Sequence, residues 1–311
     1  MATNIFDLGF SRLAVGTVQF GLPYGIANRV GQPSFEQVCA ILAYAVEHGA
    51  TTLDTAAGYG ESEAVLGRAL RVIGALEQTT IVSKTRKAKH MEQERSAQNI
   101  ERWFRDSVES SLRNLGLDSL PVCLFHDPQD IDYIDALLKL KEEGLVQHTG
   151  VSLGEPDQMP RMLSTPGVEA IQVSLNMLDR RILEAGDLAR AAELGVAVFV
   201  RSIYLQGLLV MPLEEIMPAL QQVIPVRRAL QRIADRAGLT MPEMALRYGL
   251  SLPGVTSVLT GVETVEQIKV NVAIAGHGPL PADIIEAIDE AVPDLSDTII
   301  LYPWLWPGAM R

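Results

Sequence analysis

The stretch Thr51-Thr-Leu-Asp-Thr-Ala-Ala-Gly-Tyr-Gly60, running on into Glu61-Ser-Glu-Ala-Val-Leu-Gly-Arg-Ala-Leu70, decides the fold. Thr51 to Ala56 is a short apolar run that reads as a strand. Gly58 permits a sharp turn, and Glu61 to Val72 then repeats its apolar residues at helical spacing. Asp54 stands near the end of the strand and Tyr59 in the turn. An ionisable residue at the C-terminal end of a buried strand is awkward for structure and common in catalysis.

The same strand-then-helix pattern recurs on both sides. Leu13 to Gly16 is the first strand. The next stretch contains Gly21, Pro23, Gly25 and Pro33, so it is a loop. Ser34 caps a helix, with Gln37 completing a capping box. Further strands are read at Thr79–Thr85, Pro121–His126, Val146–Leu153, Val168–Leu175, Ala197–Ile203 and Thr256–Leu259. Helices are read between them. One carries Ile100, Phe104, Val108, Leu112 and Leu115 on its apolar face and ends at Gly116. Others run from Ile131 to Lys141, from Glu155, and from Ile182 to Leu194. Val265 begins the last barrel helix. Eight alternating units demand parallel strands joined by right-handed crossovers. They favour a closed (β/α)8 TIM barrel over an open doubly wound sheet, and no Gly-x-Gly-x-x-Gly follows the first strand. Two pieces fall outside the alternation. One is 211–250, a helical insert after strand seven that includes Pro242 to Tyr248. The other is the tail Ser296 to Arg311, with Tyr302, Trp304 and Trp306. The expected architecture is one α/β domain spanning 1–311.

Composition agrees with this size. At 311 residues and 48% hydrophobic content the chain can fill such a barrel. No uncharged apolar run reaches the roughly 18 residues of a membrane span. The start, Met1 to Asp7, lacks the pattern of a secretory signal. Cys39 and Cys123 lie in apolar stretches and read as reduced thiols, so a cytoplasmic setting is expected. A net charge of −12 argues against a nucleic-acid partner. No metal site is read.

Two further strands end on chemistry: Lys84 in Ile81-Val-Ser-Lys-Thr85 and His126 in Leu124-Phe-His-Asp127. Taken singly, Asp54 reads equally as a helix cap, Tyr59 as turn packing, His126 as part of a turn and Lys84 as a Schiff-base lysine. Taken together, in this order on these strands, Asp54, Tyr59, Lys84 and His126 closely resemble the aldo/keto reductase superfamily. The resemblance runs from about Leu13 to Asn271. It implies that the four residues converge at one end of a barrel. It also implies hydride transfer between a nicotinamide cofactor and a carbonyl or alcohol substrate (an aldehyde, ketone or sugar). A free phenol has a pKa of about 10, and a neighbouring ammonium lowers it. Lys84 would supply that charge, Asp54 would hold Lys84, Tyr59 would deliver the proton and His126 would orient the carbonyl oxygen.

The resemblance also implies a cofactor path across the C-terminal mouth. Gly16 and Thr17 look like part of the nicotinamide floor. Ser152 in Gly-Val-Ser and Gln172 in Ile-Gln-Val look like carboxamide contacts, though each is also an ordinary strand-end hydrogen bonder. Many members follow that Ser with Asn, and this chain has Leu153. Arg201, in Val200-Arg-Ser-Ile-Tyr-Leu-Gln-Gly-Leu-Leu209, falls where many members place a Tyr that stacks on the nicotinamide, and a planar guanidinium can stack too. Ser202, Leu205, Gln206 and Gly207 would follow the pyrophosphate. Thr260-Gly-Val-Glu-Thr-Val-Glu-Gln-Ile-Lys-Val-Asn271 resembles the adenosine-phosphate loop and helix start. That assigns Thr260, Gly261, Val262, Glu263, Gln267 and Asn271 to the cofactor. Glu263 stands where NADP-binding members often carry Arg, Gln267 where others have a second Arg, and Lys269 is the only base. The cofactor is therefore NAD or NADP, with the carboxylate favouring NAD.

The loop Arg86-Lys-Ala-Lys-His90 reads either as a solvated surface segment or as a holder for a phosphate or carboxylate on a sugar-like substrate. Trp304 and Trp306 either wall the substrate pocket or pack the barrel's flank. Two other functions stay open: a lyase using Lys84 as a Schiff base, and a regulatory module that binds cofactor with little turnover. Neither the substrate nor the oligomeric state is legible.

Overall fold

The computed structural model describes residues 4–296 and 298–307. Its strands are β1 (Leu13–Gly16), β2 (Thr52–Asp54), β3 (Thr80–Lys84), β4 (Leu120–Phe125), β5 (Val146–Ser152), β6 (Ala170–Ser174), β7 (Ala197–Arg201) and β8 (Ser257–Gly261). They pair in parallel, each with the next, and β8 returns to β1 to close the barrel. β2, β3, β5, β6 and β7 are shorter than the apolar runs that announce them, because ladder pairing stops where the chain turns outward, whereas β1 and β4 keep the expected length and β8 exceeds it by one residue. At β2 the backbone still follows its neighbour past the strand: the amide of Ala57 donates to the carbonyl of Lys84 at 2.9 Å. That bond holds the turn carrying Tyr59 against β3.

Strand alternation sorts the side chains. Ala14, Val82, Val122, Leu124, Ala170, Ala197, Phe199 and Leu259 share one small cluster that fills the barrel. The 3₁₀ turn Ile5–Leu8 closes its floor, with Ile5 in that cluster and Phe10 packed edge-on against Phe199 at 5.0 Å. The intervening positions, such as Val15, Leu53, Ile81 and Val151, face the helices and join the larger outer core. Two residues above the inner cluster, the same alternation delivers Gly16, Asp54, Lys84, His126, Ser152, Gln172, Arg201 and Gly261 to the C-terminal mouth. The fold thus decides which of the sequence candidates can meet.

Ser34 and Gln37 form the reciprocal capping box of the helix Phe35–Glu47. Gly116, at φ 73°, ends the helix Ala97–Leu115 as a left-handed cap. Three readings need correction. The segment read as one helix from Ile182 to Leu194 is two, Arg181–Glu184 and Asp187–Glu193, broken at Gly186 with φ 73°. The insert after β7 holds Met241–Ser251, where Pro242 to Tyr248 was expected, and also the helix Ile224–Ala237, which buries Val226, Leu230, Ile233 and Ala234. A further helix, Ala282–Ala291, follows Val265–Gly276.

Of the C-terminal tail, residues 308–311 lie outside the described residues, as do 1–3 and 297. The described part packs on the loops that follow β5 and β6. Arg181 donates to the hydroxyl of Tyr302 at 3.2 Å and pairs with Glu155 and Asp179. Trp306 is buried and donates to the carbonyl of Ile299, whereas Trp304 is 43% exposed. No helix among the described residues is long and apolar enough to cross a membrane.

Candidate active site

The mouth is built around a buried ion pair. The Lys84 ammonium donates to both carboxylate oxygens of Asp54 at 2.7 Å and to the carbonyl of Thr55 at 2.8 Å. Three oxygens therefore meet its three donors. Lys84 is 1% exposed and Asp54 4%. Burial alone would lower the lysine's pKa, but Asp54 and Tyr59 outweigh it and hold the ammonium above its ordinary range. Gln172 donates its amide to Asp54 at 2.7 Å and accepts from the hydroxyl of Ser152 at 3.3 Å. One hydrogen-bonded chain thus crosses the mouth from β5 through β6 to β2 and β3. The amide nitrogen of Gln172, read from the sequence as a contact for the carboxamide, is committed to Asp54.

Tyr59 and His126 sit above this pair. The ammonium lies 4.9 Å from the centroid of the Tyr59 ring. The Tyr59 and His126 rings meet edge to face, with centroids 5.5 Å apart. Two glycines hold the phenol in place. A Cβ on Gly58 would come to 3.4 Å from His126 Nδ1, so the bare backbone leaves room for the imidazole. A Cβ on Gly21 would strike the carbonyl of Tyr59 at 1.9 Å, so the loop after β1 seats directly on the turn.

Burial, then Lys84, Lys87, Arg201 and Lys89, push His126 well below the usual histidine pKa. It is a neutral imidazole at physiological pH. The unfolded chain takes up this proton near the ordinary value of about 6.5, and the folded chain does not. His126 therefore subtracts stability as pH falls below that value, and nothing above it. Its Cε1–H resonance should not titrate between pH 6 and 8. A midpoint near 6.5 would show that the imidazole is neither buried nor surrounded by cations as described.

The remaining candidates divide by what their side chains already do. Gly16 and Gly261 are in register across β1 and β8, and the Gln19 side chain lies over Gly261, where a Cβ would come to 2.3 Å from its amide nitrogen. The hydroxyl of Thr17 is fully buried against Ser62 and the Asp54 carbonyl, so only its backbone is left for a ligand. Arg201 donates to the carbonyl of Leu153 at 2.7 Å and to the hydroxyl of Ser202 at 3.1 Å. Ser202, Leu205 and Gln206 all have positive φ, at 64°, 47° and 53°. Each costs about 1 kcal/mol or more, so the loop is held from outside. Gly207 packs so closely on Ala27 that a Cβ would lie 2.2 Å from the alanine methyl.

Thr260 and Val262 are buried behind the wall. Gln267 is not free to act as the arginine it replaces: its side-chain oxygen accepts from the amides of Glu263 and Thr264, and Thr264 caps the helix in return. Asn271 accepts from the Tyr204 hydroxyl at 3.0 Å, tying the β7 loop to the β8 helix. Lys269 lies over the Tyr44 ring at 5.8 Å, on the outer helix Phe35–Glu47. Gln19 donates to Glu263 at 3.3 Å, while its own side-chain oxygen is buried without a donor among the described residues.

The sequence reading missed Gln19 and Tyr24. Burial, then Tyr59, raise the phenol pKa of Tyr24 against the opposing pull of Arg201 and Gln206. Its only signal is an aromatic residue in the Pro23-Tyr-Gly25 loop at the end of β1. Among the described residues, no group of His, Cys, Asp and Glu could hold a metal ion.

A closed parallel barrel whose mouth gathers a buried lysine–carboxylate pair, a phenol and a neutral imidazole is the framework of an enzyme. Residues 12–293 match the aldo/keto reductase family, and the chain belongs to it. It is an NAD(P)-dependent oxidoreductase. Among its relatives, the NADH-specific methylglyoxal reductase of Escherichia coli is 26% identical over 309 residues, covering 86% of this chain and 90% of that one. The L-galactose dehydrogenase of Arabidopsis thaliana is 28% identical, covering 98% and 97%. The holo form of the aldo-keto reductase AKR11C1 from Bacillus halodurans superposes with a TM-score of 0.75 at 25% identity, covering 93% of this chain and 94% of that one.

Proposed function

We propose that the protein interconverts a small carbonyl compound (an aldehyde, ketone or sugar) and its alcohol, with NAD as the favoured cofactor. The observation that carries this reading is the Asp54–Lys84 pair beneath Tyr59 and His126. In the direction of reduction, Tyr59 delivers its phenolic proton to the carbonyl oxygen. Lys84 stabilises the phenolate left behind, and Asp54 keeps Lys84 charged and aimed. His126, being neutral, donates a hydrogen bond that orients the carbonyl without adding a charge. The reduced nicotinamide, when bound, supplies the hydride to the carbonyl carbon.

The residues present fit such a cofactor. The Gln19 side chain lies over Gly261 at the mouth, and its buried oxygen, without a donor among the described residues, is an acceptor that a bound cofactor can meet. We assign Gly16, Thr17, Ser152 and Gln172 to the nicotinamide end and Arg201 to stacking on it. Ser202, Leu205, Gln206 and Gly207 are assigned to the pyrophosphate. Thr260, Gly261, Val262, Glu263, Gln267 and Asn271 are assigned to the adenosine end, with the start of the helix Val265–Gly276 beside its phosphates. A reducing, cytoplasmic setting suits the free thiols Cys39 and Cys123.

The lysine reading of a barrel lyase is disfavoured by the same geometry. A Schiff-base lysine must shed its proton, and Lys84 is held protonated by Asp54 and Tyr59.

The NAD preference rests on acceptors. Glu263 brings a carboxylate, and beside it the orphan oxygen of Gln19 also wants a donor. Ribose hydroxyls can donate to both, whereas a 2′-phosphate adds close to two negative charges. Like charges at about 4 Å repel by roughly 1 kcal/mol in water and several times that near a protein surface. The wild type should therefore bind NAD⁺ at least about tenfold more tightly than NADP⁺, and Glu263→Arg should narrow or reverse that ratio. Titration with both cofactors, followed by a carbonyl panel using the preferred one, tests the reading. Tighter NADP⁺ binding by the wild type, unchanged in Glu263→Arg, would show that this loop does not read the 2′ position.

A further inference from the structure

The protein carries a net charge of −12, yet the space around His126 is cationic. Lys84, Lys87, Arg201 and Lys89 all act on that imidazole. Two of them are neutralised. Lys84 has Asp54 at 2.7 Å, and Lys89 has Asp127 at 3.0 Å. Among the described residues Arg201 is held only by neutral oxygens, those of Leu153 and Ser202, so its charge stands. Lys87 is half-buried, and its side chain has neither an ion pair nor a hydrogen bond among the described residues. Two carboxylates act on it, and neither pairs with it: Asp127 is bound to Lys89 at 3.0 Å, and Asp130 accepts from the amide of Ala88 at 3.1 Å while burial pushes its carboxyl up to about 6.

That absence stands out in this molecule. Arg180 has Asp289, Arg181 has Asp179 and Glu155, and Arg247 has Glu243, while the buried Arg227 at least finds backbone carbonyls, as does Arg12; the Lys87 ammonium has neither among the described residues. A desolvated ammonium without a partner is costly. Nor is Lys87 on a free arm. Arg86 before it stacks on Trp103 at 4.6 Å and donates its backbone amide to the Ser107 hydroxyl at 2.9 Å, and Ala88 after it is buried. The segment read as a solvated loop is thus an anchored turn, with only Lys89 and His90 exposed. It follows β3, and Arg201 ends β7, the strand opposite in the closed barrel. The two charges reach in from opposite sides.

We propose that Lys87 and Arg201 form an anion-binding site at the mouth, and that the preferred substrate is a carbonyl compound bearing a carboxylate or a phosphate a few bonds from its carbonyl. The inference rests on the reductase reading above and specifies the substrate class of that same site. An anion held between the two cations would leave the carbonyl end of a short chain to reach Tyr59 and His126. His126, itself uncharged, would not compete for the anion.

The test compares matched aldehydes by kcat/KM with the preferred reduced nicotinamide. Succinic semialdehyde against butyraldehyde reads carboxylate, and glyceraldehyde 3-phosphate against glyceraldehyde reads phosphate. In at least one pair the charged member should be favoured by about tenfold or more, which corresponds to about 1.4 kcal/mol. Lys87→Met should remove most of that preference and Lys87→Arg should retain it, with both variants checked for native circular dichroism. The pair that shows the preference identifies the anion. Charged members no better than their neutral partners, or a preference that survives Lys87→Met, would overturn the anion site while leaving the reductase reading intact. No turnover of any of the four with either NADH or NADPH would overturn both.

Discussion

Tyr59→Phe should lower kcat by between about a hundredfold and ten-thousandfold, the range that a positioned general acid contributes, while the dissociation constant for NAD⁺ stays within about twofold. The substitution removes one oxygen and leaves the ring. The ring makes the edge-on contact with His126 at 5.5 Å and lies 4.9 Å from the Lys84 ammonium, and both survive in phenylalanine. The Tyr59 backbone, seated against Gly21, does not change either. Folding should therefore be nearly unaffected, and the loss should fall on the chemical step. Steady-state rates with the best carbonyl substrate, beside a fluorescence titration of cofactor, separate the two effects. A folded variant with full turnover would mean that another group delivers the proton. Tyr24, which faces Tyr59 and Arg201, would then be the first to examine.

Lys84→Met should abolish turnover and also destabilise the protein by about 3–5 kcal/mol, because removing one member of a buried pair leaves the other uncompensated. Asp54 is 4% exposed, and without Lys84 only the amide of Gln172, among the described residues, would still donate to it. The diagnostic variant is the double one. Asp54→Asn with Lys84→Met removes both charges at once and lets Gln172 bond a neutral amide. Urea midpoints should recover most of the lost stability, since a buried pair is worth little net against neutral groups of similar size. Activity should stay absent, because no cation then faces the phenolate. Turnover in the double variant would reduce the pair to a structural role. Unchanged stability in the single variant would show that Asp54 is hydrated and the mouth wetter than described.

How far the site was legible in the chain depends on what each residue touches. Asp54 and Lys84 were readable because each ends a strand, whereas Ser152, Gln172 and Arg201 were readable only through the family resemblance; alternation of one parity brings all five to the mouth. The long apolar stripes were readable for the same kind of reason, as in the helix Ala97–Leu115. The bond from Gln172 to Asp54 was not readable, since it joins residues 118 apart that only barrel closure makes neighbours. The reach of Gln19 to Glu263, 244 residues away, was hidden likewise. Gln267 shows a competition that a motif cannot express: it occupies an arginine's place in the family pattern, but local capping claims its side chain. Two misses had signals. Val226, Leu230, Ile233 and Ala234 followed by Gly238 is a helix pattern with a left-handed cap, and Gly186 inside an apparent helix marked its break.

The central claim is that hydride passes at this mouth between a nicotinamide and a carbonyl carbon. It is tested most directly by isotope transfer. The wild-type protein would be incubated with an aldehyde that it turns over and with NADH or NADPH deuterated at nicotinamide C4, and the product analysed by mass spectrometry. The account predicts an alcohol carrying deuterium on the former carbonyl carbon, formed by the wild type at least about a hundredfold faster than by Tyr59→Phe. Consumption of the aldehyde with no deuterium in any product, together with a borohydride-trapped adduct on Lys84, would contradict it.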